Sequence, residues 1–405
     1  MARDDVSIAM IGGGIGGLAA ALSLLAAGFD VHVYEQRPTL REVGAGIVIS
    51  PNAARILHRL GLAEPLARLG VQPLAWHQRR WDDGRTLQRI PLDETVASFG
   101  FPHYHAHRAD LQAMLARALP PERLHVGHRL TGFADQGDRV EIKFASGTRV
   151  AAHIVVGADG IHSTVRGLLF GPDDPHFTGT VAYRGMVPAD RLRHLDLEPT
   201  MQIWMGPGKH FVHYYVQNKR LMNFAGLVEQ ESWRGESWTD RGDVADALAA
   251  YEGWHPQVSG IVGAVDETFI WALFDRAPLP RWSVGRVTLL GDACHPMLPF
   301  MAQGAAQAIE DGAALAAILA KADGRDIPQA LCRYEAARLP RTSRVQAMSA
   351  ENRSRFHLPD GPAQRARDVD MAAGRTDFTA EAVSWLYGHD AGADIGAAEL
   401  SRLAG

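Results

Sequence analysis

The apolar positions of this chain change period repeatedly, and each change marks an element. Val6 to Ile11 is a continuous apolar run that suits a strand buried on both faces, and the alanine-rich stretch after Ile15 reads as a helix. Val31-His32-Val33-Tyr34-Glu35 is a second strand. Gly44-Ala45-Gly46, followed by Ile47-Val48-Ile49, is a third, whose glycines suit close approach by something flat or bulky. Pro51-Asn52 opens a helix with Ala54, Ile56, Leu57, Leu60 and Leu62 at helical spacing and Gly61 as its stop. From Leu74 to Pro91 the pattern alternates around Asp82-Asp83-Gly84-Arg85, a hairpin signal, and here the chain is expected to leave its first unit.

Phe101 to His107 reads as a surface or partly buried strand, and Arg108-Ala109-Asp110-Leu111 starts a helix running to Pro120. Val140 to Phe144, a Ser146-Gly147 turn and Thr148 to Val156 form a hairpin whose second strand runs into Gly157. Val181 to about Ala277 is rich in Trp, Tyr, Phe and Met and alternates, which predicts a mostly antiparallel sheet with one helix near Asp243 to Tyr251. Arg286 to Asp292 is another buried strand, followed by the loop Ala293 to Gly304 and a long helix to Lys321 that carries Glu310 and Asp311. Beyond Pro340 the pattern predicts helices separated by a polar stretch, Asp360 to Asp377.

Three of these strands end in corners with chemical potential. Gly12, Gly14 and Gly17 fall on GxGxxG spacing between a strand and a helix, where the glycines allow a tight turn, backbone approach to a pyrophosphate and close helix packing. Glu35 ends the next strand about where a ribose hydroxyl would need an acceptor. Gly157-Ala158-Asp159-Gly160, followed by Ser163 and Arg166, is the second corner, and Gly291-Asp292 the third. The helix after the third corner points its amino terminus at whatever the preceding loop holds, where it favours negative charge. Arg108, at a helix start, is a candidate for contact with phosphate or ribityl oxygens.

His103, His105 and His107 alternate on one face and could mimic a metal site, but nothing nearby supplies a clear fourth ligand, and no metal is expected. In His210-Phe211-Val212-His213-Tyr214-Tyr215, His210, Val212 and Tyr214 share one strand face and His213 and Tyr215 the other. A histidine titrates near neutrality and can take a phenolic proton.

Composition narrows the setting. A chain of 405 residues suggests two or three units, and 46% hydrophobic with 21% charged residues is ordinary for a globular enzyme. The formal net charge of -5 gives no general attraction to nucleic acid or anionic membrane, so neither partner is expected. Cys294 and Cys332 cannot make a disulfide framework, and no run is long and apolar enough to span a bilayer, which points to a cytoplasmic protein. HExxH, GxSxG, GxxxxGK and CxxC are all missing, so zinc hydrolysis, serine hydrolysis and P-loop chemistry have no foothold.

With these corners, the His107-Arg108-Ala109-Asp110-Leu111 segment and the stretch from Gly291-Asp292-Ala293-Cys294-His295-Pro296 to Gln303-Gly304-Ala305, nearly the whole chain resembles the single-component FAD-dependent aromatic hydroxylases. The group includes salicylate hydroxylase, 3-hydroxybenzoate 6-hydroxylase and 6-hydroxynicotinate 3-monooxygenase. The resemblance implies an α/β fold of the p-hydroxybenzoate-hydroxylase type: a Rossmann-like FAD-binding domain, an inserted, mostly antiparallel substrate-binding sheet and C-terminal helices. The FAD-binding parts would be 1–73, 103–180 and 281–350, the substrate parts 74–102 and 181–280, and the helical region 351–405. It further implies tightly bound FAD, NADH or NADPH as a transient co-substrate, dioxygen, a small aromatic substrate, and a monomer or homodimer. Hydroxylation would run through a flavin C4a-hydroperoxide on a phenolic or hydroxybenzoate-type ring.

Carried over by residue, Glu35 and Arg37 would serve the adenosine end of FAD, Arg108 its pyrophosphate or ribityl region, Asp159 the pyrophosphate region and pyridine-nucleotide docking, and Asp292 a ribityl hydroxyl. Gly304 and Ala305 would border the cofactor, with Pro299 beside the reacting end. His210 and Tyr214 would act near the substrate hydroxyl, and Val48, Arg184, Met201, His213 and Phe300 would line the substrate. Hydroxynicotinate enzymes carry imidazoles in place of Val48 and Phe300 and a thiol near Met201, so an all-carbon ring fits this chain better than a pyridine. The competing readings are hydroxylation of an N-heterocycle such as a hydroxynicotinate, an FAD-dependent dehydrogenase or reductase without oxygen insertion, and a non-catalytic dinucleotide sensor. The sensor reading leaves the second and third acidic corners and the aromatic insert without a purpose. The halogenase branch would show WxWxIP, which this chain lacks.

Overall fold

Ser7–Ile11 lies at the centre of a parallel sheet ordered Val287–Leu289, Ile154–Gly157, Ser7–Ile11, Asp30–Tyr34, Leu124–His125. The computed structural model describes residues 3–40, 44–173, 175–232, 241–322, 326–376 and 379–393. Registers Ile11 to Gly157, Gly157 to Leu289 and Ile11 to Tyr34 bring the carboxyl ends of four neighbouring strands to one level. The continuous apolar runs follow from this position: both faces of the sheet are covered, and Ile8, Val31, Val155 and Leu289 are each at most 1% exposed. On one face the helices Ile15–Ala26 and Gly304–Ala320 approach through small residues, and a Cβ on Gly16 would stand 2.9 Å from Ala308 Cβ. Both helices are alanine-rich because larger side chains would hold them apart.

The second sheet has eight strands, ordered Arg241–Gly242, Thr268–Asp275, His176–Pro188, Leu221–Glu229, Lys209–Val216, Met201–Gly206, Ala75–Arg80, Thr86–Pro91. It is antiparallel except where Met201–Gly206 runs parallel to Ala75–Arg80, so the early hairpin and the aromatic segment complete one surface. Gly46–Ile49 and Tyr104–His107 form a two-stranded ribbon that bears on this sheet, with Gly46 N donating to Asn223 Oδ1 at 2.7 Å. No helix among the described residues is long and apolar enough to cross a membrane.

Several local expectations need correction. The run from Thr148 to Val156 is two strands: Arg149–Ala152 closes a small antiparallel sheet, and Ile154–Gly157 enters the parallel one. A buried apolar strand next to a hairpin strand has no internal signal for the break at His153. The helix opened by Pro51 stops at Arg59, before Leu60 and Leu62, and a further helix, Ala63–Leu69, follows Gly61, whose φ of 76° makes the stop. Pro340 does not bound a helix. Ile327–Phe356 passes through it, held on both sides of the proline by Arg338 and Arg341 on Glu310. Part of the polar stretch after Asp360 is also helical, Pro362–Ala372. His103 and His105 are buried, each 1% exposed, where a surface or partly buried strand was expected, because His103 packs against Trp76 and Tyr387 and His105 against Tyr214.

Candidate active site

The carboxyl ends of the parallel strands form one rim. Gly12 N donates to Tyr34 O at 2.9 Å, Ala158 N to Ile11 O at 2.8 Å and Leu290 N to Gly157 O at 2.9 Å, so the three glycine corners and Glu35 stand side by side. A Cβ on Gly12 would overlap the Ala158 carbonyl oxygen, and one on Gly17 would overlap the Gly12 carbonyl oxygen. At Gly14 a Cβ would meet nothing within 4 Å, so the backbone there is open to a ligand. The helix Ile15–Ala26 starts at this glycine with no side-chain cap and no acid in its first turn. Bare N–H groups at a helix start fit a pyrophosphate, which satisfies what FAD would require here.

Glu35 accepts from Gly13 N at 2.8 Å and Arg37 N at 2.9 Å, which fixes the carboxylate at the rim while each oxygen keeps a further lone pair for a hydroxyl. Arg37 itself is exposed beside it. Gln112, unremarked in the sequence, donates to Gly13 O at 2.8 Å and pins the same loop. Arg108 begins the helix Arg108–Ala118 on the neighbouring segment, its N–H donating to Ala45 O at 2.8 Å.

At the second corner, Asp159 accepts from Ser163 Oγ at 2.5 Å and Val165 N at 3.1 Å, and Ser163 Oγ in turn accepts from Arg166 N at 2.9 Å. Both carboxylate oxygens therefore hold the start of the helix Thr164–Phe170. Burial pushes the Asp159 carboxyl above its ordinary value, and these hydrogen bonds oppose it. At the third corner, Asp292 is exposed, and Gly304 opens the long helix nearby with no side-chain cap and no acid in the first turn. A Cβ on Gly304 would stand 3.9 Å from Asp292 Oδ1, so the carboxylate and the helix start face one space. Pro299 starts a short turn, Pro299–Met301, that borders it, with Ala302 at φ 51° closing the turn before Gln303.

Behind this loop is a buried charged network. Asp311 Oδ2 accepts from Gly291 N at 3.0 Å and lies 2.6 Å from His295 Nε2, while Arg338 Nε donates to Asp311 Oδ1 at 2.7 Å. Glu310 accepts from Arg338 at 2.6 Å, from Arg341 at 2.7 and 2.8 Å and from Asn52 at 2.6 Å. Gln303 donates to Ser50 Oγ at 2.9 Å. Burial alone would raise Asp311, but the charge of His295 and Arg338 and their hydrogen bonds hold it at about 2. Cys294, His295 and Asp311 come within 4.8 Å of one another, as metal ligands would. The Asp311 oxygens are already bonded to Gly291, His295 and Arg338, and burial raises the Cys294 thiol, so the group works as a hydrogen-bonded brace.

The face of the large sheet turned toward the ribbon carries His210, Val212 and Tyr214 from one strand, Met201, Ile203 and Met205 from the next, and Asn223, Ala225 and Arg184 from the two on the other side. Val48 and Phe300 join this apolar group, and the Phe300 ring lies 5.2 Å from the His210 ring. Tyr214 lies against His105 at 4.3 Å between ring centroids, and burial pushes the Tyr214 hydroxyl up to about 12, with Arg184 opposing. The Arg184 guanidinium stacks over Trp271 at 4.1 Å and has no hydrogen-bond or ion-pair partner among the described residues; its Nε is buried. Burial lowers it to about 10, with Tyr214 opposing and Arg108 adding to the fall, so it remains a cation at neutral pH. His213 is not part of this group. The strand alternation that presents His210 and Tyr214 turns His213 to the other face, where it stacks near Trp204 and Phe211, and burial lowers it to about 3.

The sequence reading gave no site role to His105, Asn223 and Trp271 around Tyr214 and Arg184, or to Ser50, Asn52, Arg338 and Arg341 behind the loop. Asn223 could have been found as a polar residue on the apolar face of its strand. Arg338 had no such signal, since its partners are 27 and 28 residues away on another helix.

A family profile described as an FAD binding domain matches residues 5–349. The chain is 46% identical to the 3-amino-4-hydroxybenzoate 2-monooxygenase PtmB3 of Streptomyces platensis over 95% of this chain and 96% of that one. It is 42% identical to a 6-hydroxynicotinate 3-monooxygenase of Bordetella bronchiseptica over 85% and 91%. Among solved structures it resembles a salicylate hydroxylase substrate complex, with TM-score 0.81, 28% identity and coverage of 99% and 98%. It also resembles Klebsiella pneumoniae HpxO complexed with FAD and uric acid, with TM-score 0.83, 27% identity and coverage of 92% and 94%.

Proposed function

This chain belongs to the FAD-binding-domain family and is an FAD-dependent, NAD(P)H-consuming aromatic monooxygenase, and from that premise we propose that it hydroxylates a benzoate ring bearing a phenolic hydroxyl. The observation that carries the substrate class is Arg184, a cation without a protein counter-charge among the described residues, on the sheet face that presents His210 and Tyr214. An unpaired guanidinium beside an apolar wall is favourable once a carboxylate reaches it, and Arg binds carboxylates in a two-pronged geometry. The aminohydroxybenzoate and hydroxynicotinate named for the relatives both carry that carboxylate. Val48, Met201 and Phe300 favour the all-carbon ring, since they offer a ring nitrogen no strong hydrogen-bond partner.

FAD, when bound, supplies the oxygen-activating chemistry after reduction by NAD(P)H. Gly12, Gly14 and Gly17 would hold its pyrophosphate, Glu35 the adenosine ribose, and Asp292 with Gly304 and Ala305 its other end, bordered by Pro299. Arg37 and Arg108 would serve as further polar contacts, and Asp159 would keep the second corner in shape. His210 Nε2 would take the phenolic proton, which raises electron density in the ring. Tyr214, which stays protonated below its raised value, would donate a hydrogen bond that orients the substrate oxygen. Val48, Met201 and Phe300 would exclude water around the reacting carbon.

The test is a screen of the FAD-loaded protein against hydroxybenzoates, aminohydroxybenzoates and hydroxypyridines, following NAD(P)H oxidation and product identity together. Hydroxylated benzoates should accelerate NAD(P)H oxidation and gain one oxygen atom. The proposal fails if no carboxylated phenol does so, or if hydroxypyridines are turned over faster.

A further inference from the structure

The ring of His210 is backed by a second histidine that leads out of the sheet. His210 Nδ1 lies 2.7 Å from His357 Nε2, and His357 Nδ1 lies 3.0 Å from Glu229 Oε1. His210 and His357 are 2% and 4% exposed, whereas the Glu229 side chain is 45% exposed. The line therefore joins the buried substrate face to water. His357 follows Phe356, the last residue of the helix Ile327–Phe356, a helix of roughly 45 Å at 1.5 Å per residue that also carries Arg338 at the brace.

Hydrogen-bond chemistry orders the protons along this line. An ionised carboxylate only accepts, so His357 Nδ1 carries the proton that faces Glu229. A neutral His357 then presents a lone pair on Nε2, which requires the proton of His210 on Nδ1. A neutral His210 is left with its lone pair on Nε2, an atom with no hydrogen-bond partner among the described residues. Phe300 and Phe356 flank the His210 ring, and burial holds His357 below its ordinary value, with the hydrogen bond and charge of Glu229 opposing and Arg353 adding to the fall.

We propose that His357 and Glu229 are positioning residues that set the tautomer of His210 and carry the substrate's phenolic proton to solvent. This rests on the reading of His210 as the base. The phenolic O–H bond breaks and its proton bonds to His210 Nε2, while the His210 Nδ1 proton passes to His357 Nε2. The His357 Nδ1 proton passes to Glu229, which releases it to water. No electrons change hands, and reprotonation of the product oxygen runs the line backward and restores the starting tautomers.

The probe is 4-hydroxy-3-nitrobenzoate, whose phenolate absorbs visible light, bound to the FAD-loaded protein and followed by stopped-flow after a pH jump. Glu229→Gln lies at an exposed edge and should keep fold and FAD content. It should slow ionisation of the bound probe about 10-fold or more and lower kcat, because the line loses the carboxylate that receives the proton at its water-facing end. KM should change less than kcat, and Glu229→Asp should restore part of the rate. His357→Gln should match Glu229→Gln, and if it fails to fold, Glu229→Gln decides alone. A wild-type ionisation rate in Glu229→Gln overturns the relay while leaving the substrate reading standing. A wild-type protein that never ionises the probe overturns the role of His210 and the relay with it.

Discussion

Arg338→Met tests whether the buried brace sets the loop that borders the cofactor. Arg338 is 1% exposed and donates to Asp311 at 2.7 Å, to Glu310 at 2.6 Å and to the carbonyl and side-chain oxygens of Gln307 at 3.3 and 2.8 Å. Methionine recovers much of the stem's apolar contact, but two carboxylates that are 0% exposed lose a counter-charge. Removing one partner from a buried ion pair costs about 3–5 kcal/mol. Four hydrogen bonds at about 1 kcal/mol each give a similar figure. Arg341 still pairs with Glu310 and His295 with Asp311, so the lower end of that range is expected.

The pH dependence has a definite sign. Burial pushes Asp311 up, but His295 and Arg338 outweigh it and hold the group at about 2. A depressed carboxylate contributes stability above its unfolded value of about 4 and loses it as pH falls through about 2. Without Arg338 burial gains ground and the carboxyl rises, so the variant's penalty is largest at neutral pH and shrinks as acid protonates the site. Urea denaturation followed by tryptophan fluorescence and flavin release, at pH 7 and pH 5, measures both features. A penalty below about 1 kcal/mol at pH 7, or one that grows toward pH 5, refutes the assignment of the brace.

Four further outcomes are expected. Gly17→Ala should cost at least about 10-fold in FAD affinity by flavin fluorescence titration, because its Cβ would overlap the Gly12 carbonyl oxygen inside the cradle. Arg184→Met should raise KM for a carboxylated phenol by about 10- to 100-fold, the worth of one charge-assisted contact, and leave the matching carboxamide unaffected in steady-state assays. Gly46→Ala places a Cβ 2.7 Å from the Tyr214 hydroxyl and 2.6 Å from Asn223 Cγ, so kcat should fall while the FAD content of the purified protein is unchanged. Tyr214→Phe should lower kcat yet keep any ionisation limb between pH 6 and pH 10, since Tyr214 itself is pushed up to about 12 and titrates above that window.

Much of the cofactor side was legible in the chain because its signals are local. A GxGxxG turn, an acid closing the next strand and a bare helix start each occupy a few consecutive residues, and backbone sterics impose them wherever they occur. The face proposed to meet the substrate was legible in part: strand alternation put His210 and Tyr214 together and His213 apart. The resemblance grouped His213 with the substrate residues, whereas the alternation places it on the opposite face, near Trp204. His103 and His105 were misjudged because burial of a strand depends on what covers it, here the sheet completed by Met201–Gly206 and Ala75–Arg80.

The sequence by itself determined the period of each element, the glycine corners and the chemical kinds of residue available, since these depend on near neighbours along the chain. Only the tertiary structure decided which corners share a rim, that Arg184 has no counter-charge among the described residues, and that Arg338 braces the loop from another helix. It also decided that His357, 147 residues from His210, follows the end of a helix with its ring against that histidine. Such pairings depend on how helices and sheets come to rest against one another, and apolar packing fixes that arrangement without leaving a mark on the local pattern of either partner.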